Sequence, residues 1–263
     1  MKMKKLAALL LAALMLMSML AGCGDDPTDI GGNVNPLEST NGTENNGSNV
    51  TPPEDPTNNT TTPDESTAPQ DPTDDNPLSI GRMEGGTYTN QYIGITCTLD
   101  KTWTFYSAEE LQELPGQVED LFDGSQLGDM MKDMEKIIDM QAECVADLTT
   151  MNIVYQKLSM KDRLTYATMT EGQIIDTILS QQDLLEEAFS QAGITVKSMS
   201  KKTVTFADKE RTAVYIVAEI QGIAYYILQL HNYQLGEYSA TITLGSYVDD
   251  KTADLLPLFS AIE

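Results

Sequence analysis

The chain has 263 residues, with 40 acidic against 16 basic side chains, a formal charge of −24 and a pI near 4.1. Such an excess of negative charge repels phosphate backbones and sets nucleic-acid binding aside. The sequence has one histidine and three cysteines, with no Cys-x-x-Cys pair.

The first stretch has the layout of an export signal. Lys2, Lys4 and Lys5 precede an apolar run from Leu6 to Leu20 that only Ser18 interrupts, and small residues Ala21 and Gly22 follow. The run is shorter than the roughly 18 apolar residues of a spanning helix, so residues 1–22 are expected to be cut away between Gly22 and Cys23. Leu20-Ala21-Gly22-Cys23 resembles the lipobox of bacterial lipoproteins. The resemblance implies that Cys23 is lipidated with acyl chains such as palmitate and becomes the mature N-terminus. The protein would then be held on the extracytoplasmic face of the cell membrane. Two chains hold stably where one holds marginally, at about 0.8 kcal/mol per buried methylene.

Residues 23–81 change character abruptly. From Gly24 to Gly81 there is no aromatic residue, no Lys and no Arg, and nine of the eleven prolines fall here with twelve Asp and Glu. A segment of this composition buries too little apolar area to offset its ordering entropy, and a disordered acidic tether is expected. As a flexible coil it spans about 40 to 45 Å, and like charges extend it further. Asp71-Pro72-Thr73-Asp74-Asp75-Asn76 clusters carboxylates, but Asn76 and Arg82 stand where a calcium loop needs glycine and glutamate, so solvated charge is the reading. Asn-x-Ser/Thr triplets such as Asn41-Gly42-Thr43 are read as composition, because the lipobox points away from a eukaryotic secretory route.

Residues 82–263 are the expected globular domain, with a charge of −15 and enough chain for one core. Thr87 to Tyr92 and Ile93 to Leu99 read as strands about a turn at Gly94, and Thr102 to Tyr106 as a third carrying Trp103. Ser107-Ala108-Glu109-Glu110 has capping-box spacing, and the helix it opens should stop near Pro115-Gly116. Asp129 to Met140 places Met130, Met131, Met134, Ile137 and Ile138 on one face and is expected to be an amphipathic helix on a core. Two strands follow, Glu143 to Thr149 and Asn152 to Leu158. Thr170 then caps a helical region that ends at Gly193.

The last third alternates most clearly. Val196 to Phe206, Arg211 to Ile220, Ile223 to Tyr233 and Glu237 to Ser246 are strand-like runs with short dividers, which implies an antiparallel meander. Ala224 to Leu230 is apolar on both faces and is expected to be a central strand with helices on either side. Asp250 to Ile262 should close the chain as a helix. The fold class is therefore α+β.

Tyr88-x-Asn90-x-Tyr92-x-Gly94-Ile95, Leu99 and Trp103-x-Phe105 together resemble the opening of surface lipoproteins of Gram-positive anaerobes whose role is unassigned. The order of hairpin, helix, meander and helix is similar to PsbP-like α/β/α sandwiches over most of residues 85–262. Asp100-Lys101-Thr102 stand where such openings often carry a proline and a glycine. The resemblance implies a non-catalytic binding or assembly module without cofactor, and brings no active-site residues.

There is no Gly-x-Ser-x-Gly, P-loop, His-Glu-x-x-His or Cys-x-x-Cys. His231 stands alone at a strand end, where a structural role outweighs a catalytic one, since a base needs a positioned partner. Glu109 with Glu110 and Glu186 with Glu187 read as solvated helix faces. No metal, cofactor or ligand-binding residue is assigned. The alternative to a binding module is a carboxylate-based hydrolase of wall or dietary glycans, which needs two carboxylates facing across a cleft. Tyr225 and Tyr226 read as strand packing ahead of a contact surface. Cys97 and Cys144 are expected to be reduced and buried, a disulfide being the alternative if their Cα atoms lie within about 7 Å.

Overall fold

A computed structural model describes residues 81–121, 136–191, 193–232 and 237–262. The described chain is α+β, built on two antiparallel sheets. Its strands are β1 (Arg82–Glu84), β2 (Thr87–Asn90), β3 (Ile95–Thr98), β4 (Thr104–Phe105), β5 (Lys136–Cys144), β6 (Thr149–Lys157), β7 (Ile194–Phe206), β8 (Lys209–Ile220), β9 (Ile223–Asn232), β10 (Tyr238–Tyr247) and β11 (Phe259–Ala261). Its helices are α1 (Ala108–Leu121), α2 (Met160–Tyr166), α3 (Glu171–Ser180), α4 (Gln182–Gln191) and α5 (Thr252–Leu255), the last running into a 3₁₀ turn at Leu256–Leu258.

The larger sheet has the order β4-β5-β6-β10-β9-β8-β7, and the smaller β1-β2-β3-β11. The expected meander is present as β7 to β10, joined by tight turns at Ala207-Asp208 and Gln221-Gly222, where all four residues take positive φ. Strand alternation sends side chains to two separate cores. On one side Val214, Ile216, Ile227 and Tyr225 pack against Ile175, Ile178, Leu185 and Phe189 of α3 and α4. On the other, Met151, Ile153, Leu228, Leu230, Ile242 and Leu244 pack against Tyr88, Ile95, Cys97 and Phe259 of the small sheet. Every residue of β10 is buried. Gly245 in that strand leaves room for the Tyr225 hydroxyl and Thr150, since a Cβ there would sit 2.5 Å from the former.

Ala224 to Leu230 lies in the expected central strand, but its second face is covered by a four-stranded sheet and not by helices. The reason lies at the C-terminus. The helix expected over Asp250 to Ile262 ends at Leu255, and after the turn at Pro257 the chain extends as β11, pairing Phe259 with Cys97 and Ala261 with Ile95. Proline offers no amide to continue a helix, and the backbone groups beyond it find partners on the exposed edge of β3.

The expected helix from Asp129 to Met140 is corrected where it can be seen. Lys136 to Met140 belong to β5, and residues 129–135 lie outside the described residues. Ile137, Ile138 and Met140 satisfy either periodicity, but β-branched neighbours suit a strand, and pairing along the whole of β6 decides it. The strand expected at Glu143 to Thr149 is for the same reason displaced, and Val145 to Leu148 form the turn between β5 and β6. α1 runs past Pro115 to Leu121, beyond its expected stop. Its capping box is as expected, the Ser107 amide donating to Glu110 Oε2 at 3.0 Å and the Glu110 amide to Ser107 Oγ at 3.2 Å. Leu114, 3% exposed, fastens the helix to the core ahead of the proline. The Thr170 capping box and the positive φ of Gly193 also match expectation, with a break at Gln181 dividing the region into α3 and α4. β1 and α2 have no counterpart in the sequence reading; Ser159 caps α2 by accepting from the Asp162 amide.

Candidate functional site

Three features of the described chain concentrate polar or charged groups among apolar surroundings. The first is a sealed cluster at the junction of the two sheets. The register of β5 on β6 slips between Ile138 and Met140, leaving Asp139 as the extra residue of a bulge. A bulge re-aims a side chain that pleating would send elsewhere. The Asp139 carboxylate accepts from the Tyr88 hydroxyl, from Asn90 Nδ2 at 2.7 Å and from the Gly81 amide at 3.0 Å. Asn90 Nδ2 also lies 2.6 Å from the Tyr155 hydroxyl, while its Oδ1 accepts from the Ile93 amide at 3.1 Å and so holds the turn before β3. Tyr92 meets Tyr155 edge-on at 5.5 Å and donates to the Tyr238 carbonyl. Tyr88, Asn90, Tyr92, Gly94 and Ile95 are thus the residues of the opening motif, and their observed work is to join the small sheet to the large one.

Burial pushes the Asp139 carboxyl above its ordinary value, and the hydrogen bonds from Tyr88, Gly81 and Asn90 pull it partly back. Burial and the nearby carboxylate raise the Tyr88 hydroxyl, and the Tyr155 hydroxyl likewise. With Tyr88 and Asn90 at 0% exposure the cluster admits no substrate. Gly81 is built into it: a Cβ there would fall 2.1 Å from the Tyr88 ring.

The helix-facing side of the large sheet carries a second sealed set. Gln141, Asn152, Thr243 and Gln229 form one transverse row across β5, β6, β10 and β9, all buried. Gln229 Nε2 donates to Thr243 Oγ1 at 3.2 Å. His231, 1% exposed, lies beside Thr241 Oγ1 at 3.4 Å, and burial lowers its pKa to about 3. A neutral imidazole closed off from solvent holds structure and has no reactant to deprotonate. Tyr225 is buried and stacks on Tyr247 at 4.6 Å, as strand packing requires, whereas Tyr226 is half-buried.

The third feature is open. A cleft at one end of the sheet sandwich is lined by Ile93, Ile95, Phe206, Leu230 and Ile242, with Lys209 and Arg211 among the remaining lining residues. No carboxylate lines it. It therefore lacks the facing pair that glycan hydrolysis needs. Arg211 is committed, its Nε 2.7 Å from Glu171 Oε1 and its second terminal nitrogen donating to the His231 carbonyl. Lys209 is exposed and has no ion-pair partner among the described residues.

The remaining sequence candidates separate. Gly22 and Cys23 lie outside the described residues, as do Met130, Met131 and Met134. Glu110 closes the α1 capping box and Glu186 accepts from Gln182 at 2.6 Å, both local helix roles. Among the described residues no group of three or more His, Cys, Asp or Glu could hold a metal ion, and no helix is long and apolar enough to cross a membrane. Asp139 and Lys209 were not singled out in the sequence. A lone acid between Ile138 and Met140 was the available signal for the first, and nothing local marks the second.

Cys97 and Cys144 are free and buried. Cys97 Sγ lies 3.8 Å from Met151 Sδ, and Cys144 Sγ 3.7 Å from Thr102 Oγ1 and 3.6 Å from an Asp147 oxygen. Burial pushes the Cys97 thiol up to about 12, which keeps it from reacting as a thiolate. Alkylation under denaturing conditions without reductant is expected to add two labels to these thiols by intact mass, and brief native labelling none at Cys97. Absence of label after denaturation would mean a bridge.

No family model matches the chain, and no curated protein is similar to it.

Proposed function

We propose that this is a lipid-anchored, extracytoplasmic lipoprotein whose folded domain is a non-catalytic binding or assembly module for a protein or cell-envelope ligand. The observation that carries the reading is the order of parts along the chain: basic and apolar signal, Leu20-Ala21-Gly22-Cys23, a 58-residue acidic segment from Gly24 to Gly81 without aromatic or basic residues, then the domain. Cys23 takes the lipid after cleavage behind Gly22, residues 24–80 act as a spacer with Gly81 already part of the domain, and the domain belongs with PsbP-like modules of surface lipoproteins. The sealing of Asp139, Tyr88 and His231 away from solvent supports a role without covalent chemistry in those clusters. An open cleft lined by Lys209 and Arg211 beside buried apolar residues such as Leu230 and Ile242 supports recognition.

Cys23→Ala is expected to abolish acylation and to release the protein from membranes or leave its signal uncut, because that cysteine is both acceptor and first mature residue. Metabolic labelling with a fatty acid and membrane fractionation read both effects. A Cys23→Ala protein that is acylated and processed normally removes the anchor from the proposal.

A further inference from the structure

We propose that the end of the large sheet formed by the β5–β6 turn, the β8–β9 turn and the segment after β10 docks a protein segment that presents aliphatic side chains flanked by Lys or Arg. This names a surface and a partner chemistry for the binding module, rests on that reading, and is independent of the anchor.

Exposure marks the place. Among the described residues eight large apolar side chains stand in solvent, and four of them fall on these three connections: Val145 at 52%, Leu148 at 47%, Ile223 at 49% and Val248 at 54% exposed. The other four are spread over β1, α2 and α4. Backbone hydrogen bonds make the first group neighbours. The Tyr247 amide donates to the Leu148 carbonyl at 3.0 Å and the Val248 amide to the Ala224 carbonyl at 2.9 Å, so Leu148, Val248 and Ile223 follow one another along the sheet end. Val145 opens the four-residue turn that Leu148 closes. Apolar residues scattered singly are ordinary on a surface, whereas a contiguous group rimmed by polar ones marks an interaction site. Local stability does not account for two of them. Leu148 and Val248 hold φ of 54° and 69°, where asparagine or glycine is at ease and a β-branched residue is not.

Charge selects the partner. Elsewhere on the domain Glu171, Asp176, Glu219 and Glu237 each lie within 3.3 Å of a lysine or arginine nitrogen. At this end only Asp147 does, with Lys251 Nζ 2.9 Å from its Oδ1. Asp250 accepts from the Tyr215 hydroxyl at 2.7 Å and from the Thr252 amide at 3.0 Å. Asp249 and Asp254 are exposed and have no ion-pair partner among the described residues. The apolar group is thus rimmed by carboxylates that the fold itself leaves uncompensated. A second copy, carrying the same rim on a domain of charge −15, is repelled, and so is an anionic bilayer. A segment with Lys or Arg beside its aliphatic side chains is drawn in, and its cations hold the register while its apolar groups cover Leu148 and Val248.

The test is methyl NMR at physiological salt on the full chain labelled at Ile, Leu and Val, titrated with a capped peptide of leucines flanked by arginines and, separately, with its glutamate counterpart. The arginine peptide is expected to shift the methyls of Val145, Leu148, Ile223 and Val248 saturably, and to leave silent those of Leu164 and Leu184, which are as exposed elsewhere. The glutamate peptide should bind at least about tenfold more weakly. Leu148→Asn with Val248→Asn puts asparagine where positive φ suits it, so this chain should resist denaturant as well as the natural one or better, while its response at Val145 and Ile223 weakens about tenfold. Asp249→Asn with Asp254→Asn, confined to the surface, should remove most of the preference for arginine over glutamate. Equal binding of the two peptides, an equal response at Leu164 and Leu184, or no shift at the four methyls overturns the proposal. So does a response that both double variants leave unchanged. Shifts of the same methyls on concentrating the chain alone assign the surface to a second copy, and shifts with phosphatidylcholine or phosphatidylglycerol vesicles alone assign it to lipid; either result also overturns it. The module reading is judged separately: an envelope component retained by the immobilised chain, and retained equally by Leu148→Asn with Val248→Asn, refutes this surface and spares the module.

Discussion

Replacing Asp139 by alanine is expected to destabilise the domain by about 3 kcal/mol at neutral pH. The substitution removes the acceptor shared by the Tyr88 hydroxyl, Asn90 Nδ2 and the Gly81 amide. Tyr88 is fully buried, so its hydroxyl has no water to turn to, and a buried donor left unpaired costs about 1–3 kcal/mol, while Asn90 Nδ2 keeps the Tyr155 hydroxyl at 2.6 Å. The vacated space adds a smaller amount. Asp139→Asn separates shape from charge. It fills the site and costs less, but one amide arm faces the Gly81 amide, donor against donor, so Gly81 is expected to lose its protection from hydrogen exchange.

The same pair gives a pH signature. The folded carboxyl titrates above its ordinary value of 3.8 because burial opposes its charge. The folded state therefore holds the proton more tightly than the unfolded state, and this group's contribution is fully present below about pH 4 and declines as pH rises through the folded value. Denaturant unfolding of the natural chain and Asp139→Asn from pH 4 to 8 should show the natural chain losing ground to the variant as pH rises, then running parallel. A difference that grows in favour of the natural chain with rising pH would mean that the hydrogen bonds outweigh burial.

His231 is expected to produce the opposite slope on the acid side. Its imidazole is buried in β9 and its pKa falls from 6.5 to about 3, with burial as the cause. Below pH 6.5 the unfolded chain takes up a proton that the folded chain refuses. Stability is lost by up to about 1.4 kcal/mol for each pH unit well below 6.5, which sums to about 2 kcal/mol between pH 6.5 and 4.5. Replacement by glutamine, neutral throughout, should flatten that difference while costing a pH-independent amount for its imperfect fit beside Thr241. Parallel curves for the natural chain and His231→Gln over this range would show that the histidine titrates normally in the fold.

These two groups show what was and was not legible in advance. His231 stood out in the sequence as a lone histidine without a marked partner, structural or exposed, and of these the structure places it buried. That Asp139 matters was hidden. The apolar residues around it fit a helix as well as a strand, and a bulge leaves no local sequence mark, being a register decision made jointly by β5 and β6. Tyr88, Asn90 and Tyr92 were visible as a motif, but their partners Asp139, Tyr155 and Tyr238 lie 49, 65 and 146 residues away.

Local patterns by themselves determined the charge and composition of each part, the caps at Ser107 and Thr170, the glycine turn at Gly193 and the β7 to β10 meander, because each depends on residues within one turn or one hairpin of each other. Tertiary structure alone decided which layer covers the second face of β9, where the C-terminal residues go, and that Lys209, Leu230 and Ile93, from two different strands and a turn, line one cleft. The physical reason is common to all three. A strand edge or an apolar face has no preference among partners until the chain closes, and the choice then falls to whichever distant segment leaves the fewest backbone groups unpaired.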